Sequence, residues 1–250
     1  MLHFLKLCLS HLVADFILQP NWIAKNKTRI NSLLTHSIIH IATASLIINV
    51  ALNKFILIAI VILAVTHTIF DYIKARFTKD EWFAFTADQA AHFLVIAILS
   101  IWLTTDGWKL AATLLHIITD SQKLYLYLCV YIAVIFGGGY FVQKVTQYFM
   151  NQIDKKLFQS KPGLRNGGKY IGWLERALIT TFIVAGYYEG IGLLLAAKTV
   201  ARYPEIKSDE TNPDESFHFA EYFLVGTLTS VSIAVAAGFF LLKFRLRSEI

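Results

Sequence analysis

Apolar runs of bilayer-crossing length recur along this chain, and they limit its fold more than any other feature. A span of hydrocarbon takes ~20 residues whose backbone polar groups are bonded internally, which helices and closed barrels alone provide. Seven segments read as such helices: 2–19, 32–52, 54–74, 82–104, 122–147, 171–202 and 219–242. Only 16% of the 250 residues are charged and 56% are hydrophobic. Soluble domains carry roughly a quarter charged residues. The expectation is an all-α integral membrane protein with seven transmembrane helices. It divides into a four-helix membrane domain at 1–105 and a second region at 106–250. The second region would hold an interfacial helix at 109–120, three further spans, a basic loop at 150–170 and an acidic loop at 203–218.

Charge placement suggests the topology. The net charge of +6 gathers in the 20–31, 75–81 and 150–170 loops and the C-terminal "KFRLRSEI". Seven-helix alternation puts all four on one side, which the positive-inside rule makes cytoplasmic, with the N-terminus out and the C-terminus in. "GYYEGIG" marks where helix 171–202 would break. His11 and Asp15 interrupt any signal-peptide core, so residues 1–19 read as a mature helix.

Several classes of function find no support. Cys8 and Cys129 form no CxxC pair and read as small buried hydrophobes. No P-loop, GxGxxG or aromatic-interleaved basic patch occurs, so nucleic acid is not an expected partner. The GGG at 137–139 reads as a close helix-packing surface.

The chemistry lies in four pairs. Helix 1 has His11 and Asp15, helix 2 His36 and His40, helix 3 His67 and Asp71, and helix 4 Asp88 and His92. Each pair is spaced i,i+4 and so shares a helix face. Five of the eight histidines belong to this pattern. The pairs lie alternately near the end and near the start of successive helices. An up-down bundle therefore brings all eight to a similar depth, one or two turns below the cytoplasmic face.

Intramembrane acids and histidines are costly to desolvate and usually mark function. Imidazole and carboxylate are the ligand set of zinc, manganese and iron. Eight ligands suit two divalent ions or one ion with supporting groups, and zinc is the leading choice. Gln19 and Gln89, beside the pairs, would orient the ligands. A metal-free proton relay or ion-pair network is the competing reading. Haem fits less well, because two opposed histidines suffice for it and the acids add nothing.

"HLVADFILQ", "AKNK", "LLTHSIIH", "HTIFDYIKAR" and "DQAAH" together resemble a bacterial integral membrane family, domain of unknown function 3307, over residues 5–100. That likeness implies a helical domain in the bacterial inner membrane and carries no assigned activity. More loosely, His11/Asp15 and His67/Asp71 are similar in ligand pattern to the all-helical zinc enzymes of the phospholipase C and P1-nuclease type. Those enzymes use an N-terminal tryptophan ligand, and this chain starts Met-Leu-His.

In the second region, Glu175 and Arg176 fall at the start of helix 6, and Lys198 and Arg202 near its end. Glu221 begins helix 7, where an ion pair with Arg202 or Lys198 is expected. Glu175 or Arg176 could instead reach the metal site, an arginine there holding phosphate.

The functional expectation is a membrane-embedded, metal-dependent hydrolase of a lipid or lipid-linked phosphoester in the cytoplasmic leaflet. Lys25, Lys27, Arg29, Lys74 and Arg76 would attract the anionic headgroup. The alternatives are a divalent-metal transporter and a regulatory or defence protein with a structural metal. Membrane lipid is the expected partner, and a homo-oligomer is compatible with the sequence.

Overall fold

The computed structural model describes residues 2–48, 54–78, 82–103, 120–150, 167–207 and 213–246. All elements among them are helical: α1 (Leu2–Phe16), α2 (Asn21–Lys25), α3 (Ile30–Ile48), α4 (Lys54–Phe77), α5 (Trp82–Leu103), α6 (Asp120–Ile132), a π-helical turn (Ala133–Gly137), α7 (Gly138–Met150), α8 (Gly167–Ala185), α9 (Glu189–Lys207) and α10 (Pro213–Leu246). Five stretches are long and apolar enough to cross a membrane: 30–48, 54–77, 82–103, 122–149 and 220–244. The helices α1, α8 and α9 are not among them. The interfacial helix expected at 109–120 lies almost wholly outside the described residues, as does most of the basic loop at 150–170. The acidic stretch at 203–218 is shorter than expected as a loop, since α9 runs to Lys207 and α10 begins at Pro213.

The chain forms two compact units, residues 1–133 and 134–250. In the first, α1 packs on α3, α3 on α4, α4 on α5 and α5 back on α1, with α6 also against α1. Each helix buries one stripe, as on α4 with Ala59, Ile60, Leu63, Ala64, His67 and Asp71. The spacing keeps these residues on one face. The stripe is apolar at one end and polar at the other. Leu7, Cys8, Ile48, Ala59, Ile60, Leu63, Ile96 and Leu99 belong to the apolar core. Cys8 and Cys129 are free thiols in that core, and Cys129 Sγ donates to Leu5 O at 3.4 Å. On the outer faces Ile38, Leu46, Leu57, Val61, Val65, Leu94 and Ile98 are exposed. Charged and imidazole groups inside with bare aliphatic faces outside suit a helix group surrounded by lipid.

Two departures from the expected helix ends matter most. The first helix stops at Phe16, where Ile17 and Leu18 N–H both bond to Val13 O at 3.1 and 2.9 Å. Pro20 then starts α2 in an extended conformation (φ −69°, ψ 152°). Proline disfavours the helical region for the residue before it, so the helix closes early.

The helix expected over 171–202 is two helices. Gly186 has φ +77°. Its N–H bonds to Ile183 O at 3.1 Å, and Tyr187 N–H bonds to Phe182 O at 2.8 Å. This is the Schellman closure, in which the left-handed residue is almost always glycine. Past the break α9 turns back along α8, and Lys198 Nζ meets Glu175 Oε2 at 2.6 Å. These partners lie eleven and twelve residues either side of Gly186, as in an antiparallel hairpin. Lys198, expected with Arg202 as a candidate partner of Glu221, thus meets Glu175.

In the second unit α10 packs on α7, α8 and α9. A Cβ on Gly238 would stand 2.7 Å from Ile183 Cβ, so α10 and α8 approach to backbone distance there.

Candidate metal centre

The four i,i+4 pairs sit on α1, α3, α4 and α5 at the polar end of the buried stripes. His11, His36, His40, His67, Asp71, Asp88 and His92 are buried, and the Asp15 side chain is 7% exposed. Three sets have ligand atoms all within 4.8 Å of one another: His11, Asp15, His40 and His67; His36, His67 and Asp71; and Asp71, Asp88 and His92. Asp71 and His67 each belong to two sets, so the eight residues form one continuous cluster.

Its tightest part is Asp15 with three imidazoles. Asp15 Oδ1 lies 3.1 Å from His36 Nε2, 2.9 Å from His40 Nε2 and 3.4 Å from His67 Nε2. His36 Nε2 lies 3.3 Å from His40 Nε2 and 3.1 Å from His67 Nε2. The His40 and His67 ring centroids are 3.8 Å apart. Four ligands held at ~2.0 Å from a common tetrahedral centre stand ~3.3 Å from one another. The observed edges bracket that value. Hydrogen bonds link these atoms, but a neutral imidazole carries one proton and one carboxylate oxygen cannot accept from every ring at once. Three Nε2 atoms facing each other and one carboxylate oxygen bring together either lone pairs or protons. Converging donor atoms of this kind could hold a cation.

A second grouping lies beside it. His92 Nδ1 is 2.7 Å from Asp88 O, so it carries the proton and donates to that carbonyl. The tautomer leaves His92 Nε2 with a bare lone pair, and that atom is buried without a hydrogen-bond partner. Fixing one ring nitrogen on a carbonyl is the usual way an imidazole is prepared as a ligand. Asp88 Oδ1 is likewise buried without a partner, while Asp88 Oδ2 accepts from Lys74 Nζ at 2.8 Å. Asp71 lies between the two groupings. Its Oδ2 is 3.3 Å from His67 Nε2 and 3.5 Å from His36 Nε2. Both its oxygens also meet Lys27 Nζ, at 2.8 and 2.7 Å. Burial works against the charge on Lys27, but Asp71 and Asp15 outweigh it and raise its pKa above the ordinary lysine value.

Both flanking glutamines touch the cluster. Gln89 Oε1 lies 3.3 Å from His11 Nε2, and Gln19 Nε2 donates to His36 Nε2 at 3.0 Å. Gln19 reaches it from the turn after α1, not from the same helical face as Asp15. Lys25 and Arg76 are exposed. Lys27 and Lys74, expected as headgroup attractors, are engaged with Asp71 and Asp88. Their role as carboxylate partners was not foreseen.

The second unit uses its buried charges differently. Arg176 donates through Nε to Val134 O at 3.0 Å, through Nη2 to Ile135 O at 2.9 Å and through Nη1 to Ser230 Oγ at 3.1 Å. The two carbonyls belong to the π-helical turn, where the break in helical register frees backbone acceptors. A Cβ on Gly139 would stand 2.6 Å from Arg176 Nη2, and one on Gly172 would stand 3.2 Å from Nη1. The GGG run thus makes room for a guanidinium. Glu175 and Arg176, considered above as groups that could approach the metal cluster, are engaged inside their own unit. Arg202 and Glu221 both make interactions.

Residues 3–119 match the model of a family described as a protein of unknown function (DUF3307). That stretch contains all eight candidate ligands, both glutamines, Lys27 and Lys74. Residues 120–250, with the Arg176 network, lie beyond the match. No curated protein and no solved structure matches the chain.

Proposed function

We propose that this chain is a membrane-embedded, metal-dependent hydrolase. Its substrate would be a lipid or lipid-linked phosphoester, and its centre would hold two divalent ions, zinc first among the candidates. The observation that carries the reading is the convergence of Asp15, His36, His40 and His67 at metal-ligand edge distances, beside a second set that shares Asp71. In such a centre the ions lower the pKa of a bound water and stabilise charge developing on the attacked group. The chain's part is to hold the ligands, keep the apolar core dry beneath them and present cations to the substrate. Lys27 and Lys74 border the cluster with side chains 17% and 20% exposed. A phosphoester reaching the cluster would pass these ammonium groups. In the reaction, water oxygen forms the new bond to phosphorus and the bond to the alcohol oxygen breaks. The water's proton ends on the departing alcohol.

The same reading places α1 and the segments at 30–48, 54–77 and 82–103 across the bacterial inner membrane. The basic 20–31 and 75–81 loops would be cytoplasmic and the N-terminus outside. The full count of seven crossings and a cytoplasmic C-terminus relied on one crossing at 171–202. The hairpin about Gly186 removes that support, so the proposal here covers only the first unit.

Elemental analysis of full-length protein, purified in detergent without chelator, tests the centre. About two equivalents of zinc, manganese or iron are expected in the wild type and loss of at least one of them in Asp71→Ala. A metal-free wild type overturns the reading. Release of the headgroup from phospholipid vesicles then separates a hydrolase from a transporter, which would move zinc across the vesicle wall and leave the lipid intact.

A further inference from the structure

We infer that the two ion positions are unequal: a closed inner one made by Asp15, His36, His40 and His67, and an open outer one made by Asp71, Asp88 and His92. This deepens the metal-centre reading and rests on it.

The inner set offers four ligand atoms at mutual distances of 2.9–3.4 Å for the five edges given above. Four protein ligands complete a tetrahedral ion and leave no position for solvent or substrate, the pattern of structural sites. The outer set offers three. A site with three protein ligands keeps a free position, the pattern of sites where reaction occurs. Two buried atoms of the outer set, His92 Nε2 and Asp88 Oδ1, have no hydrogen-bond partner, so each has a lone pair free for an ion.

The carboxylates differ in the same sense. Asp15 faces only imidazoles among its close contacts. Each outer carboxylate already carries an ammonium, Lys27 on Asp71 and Lys74 on Asp88. An ion at the outer position must share those carboxylates with lysines, whose charge lowers its affinity. At the inner position the competitor is the neutral amide of Gln19, 3.0 Å from His36 Nε2, and no ammonium among the described residues lies on Asp15. The inner ion is therefore tight, four-coordinate and closed to substrate. The outer ion is weaker, exchangeable and the one that accepts water or a phosphoryl oxygen. Asp71, within reach of both sets, couples the two.

The test is a titration of chelator-stripped full-length protein in detergent with cobalt(II), whose visible spectrum reports coordination number. The first equivalent is expected to give the intense bands of a tetrahedral ion. A second should follow with weak bands of higher coordination and a Kd about tenfold or more higher. Asp88→Asn and His92→Ala should each retain the first equivalent and its spectrum and lose the second. His40→Ala should lose the intense bands. Inorganic phosphate should perturb only the second spectrum. Two equivalents that bind with one affinity and one spectrum overturn the inference, as does loss of both ions in Asp88→Asn. The wild-type titration decides even if a variant does not fold. Protein that binds no cobalt at all defeats the metal-centre reading itself. Unequal ions without lipid hydrolysis would leave this inference standing and defeat only the hydrolase reading.

Discussion

The two units bury polar side chains in opposite ways. In the second, each buried charge described above meets a complementary partner: Arg176 two carbonyls and a hydroxyl, Glu175 a lysine. In the first, five imidazoles and three carboxylates turn mainly toward one another, and several nitrogen and oxygen atoms have no hydrogen-bond partner. A satisfied network holds helices together. A network of facing lone pairs costs stability unless something outside the chain completes it. The contrast separates a satisfied use of buried charge from an unsatisfied one within a single molecule, which is what the proposed metal centre would explain.

The sharpest way to break the comparison is Arg176→Leu. It strips the donors from two π-turn carbonyls and Ser230, and a loss of about 3 kcal/mol or more is expected. Thermal unfolding in detergent reads it, and an unchanged midpoint would mean that the network contributes nothing. Next in size is the opposite behaviour in the first unit. With chelator present, His40→Leu should keep or raise the wild-type midpoint, because it removes one of the facing nitrogens. With zinc at about a hundred times its Kd, the wild type should gain about 2.7 kcal/mol and the variant far less. If His40→Leu unfolds the chelated protein, the cluster is a structural network like that of Arg176. The smallest effect is Gly139→Ala. Its new methyl would press on the guanidinium from 2.6 Å, and a loss of about 1–2 kcal/mol is expected from overpacking. Combining it with Arg176→Leu should abolish that extra cost, since the clash and its partner go together.

Much of the first unit was legible because helix periodicity is a local property. The i,i+4 spacing of His67 and Asp71, repeated on neighbouring helices, sufficed to place the paired residues on one face each. Short links between those helices then implied that the faces meet. Gln19 shows the limit. It touches His36, but from a turn that closes three residues earlier than the apolar run suggested. Lys27 shows it again, for nothing local distinguishes a lysine that faces headgroups from one that grips Asp71 on a helix 44 residues away.

The second unit was less legible. "GYYEGIG" marked the break, since glycine alone tolerates φ of +77° without strain. The direction of the chain afterwards was not encoded there. It is seen in the Glu175–Lys198 contact, which turned an expected single span into a hairpin. Arg176 looked like a group free to bind an anion, because its acceptors are backbone carbonyls about forty residues earlier in a π-helical turn.

The sequence by itself thus determined helix, membrane-crossing length and the His/Asp pairs, because each follows from composition or from a period of a few residues. Only the tertiary structure decided which imidazoles share Asp15, that Asp71 lies between two groupings, and which cations are held by carboxylates. Those are distances between atoms on different helices. They depend on rotation and depth of packing, which a one-dimensional pattern of apolar and polar residues leaves free.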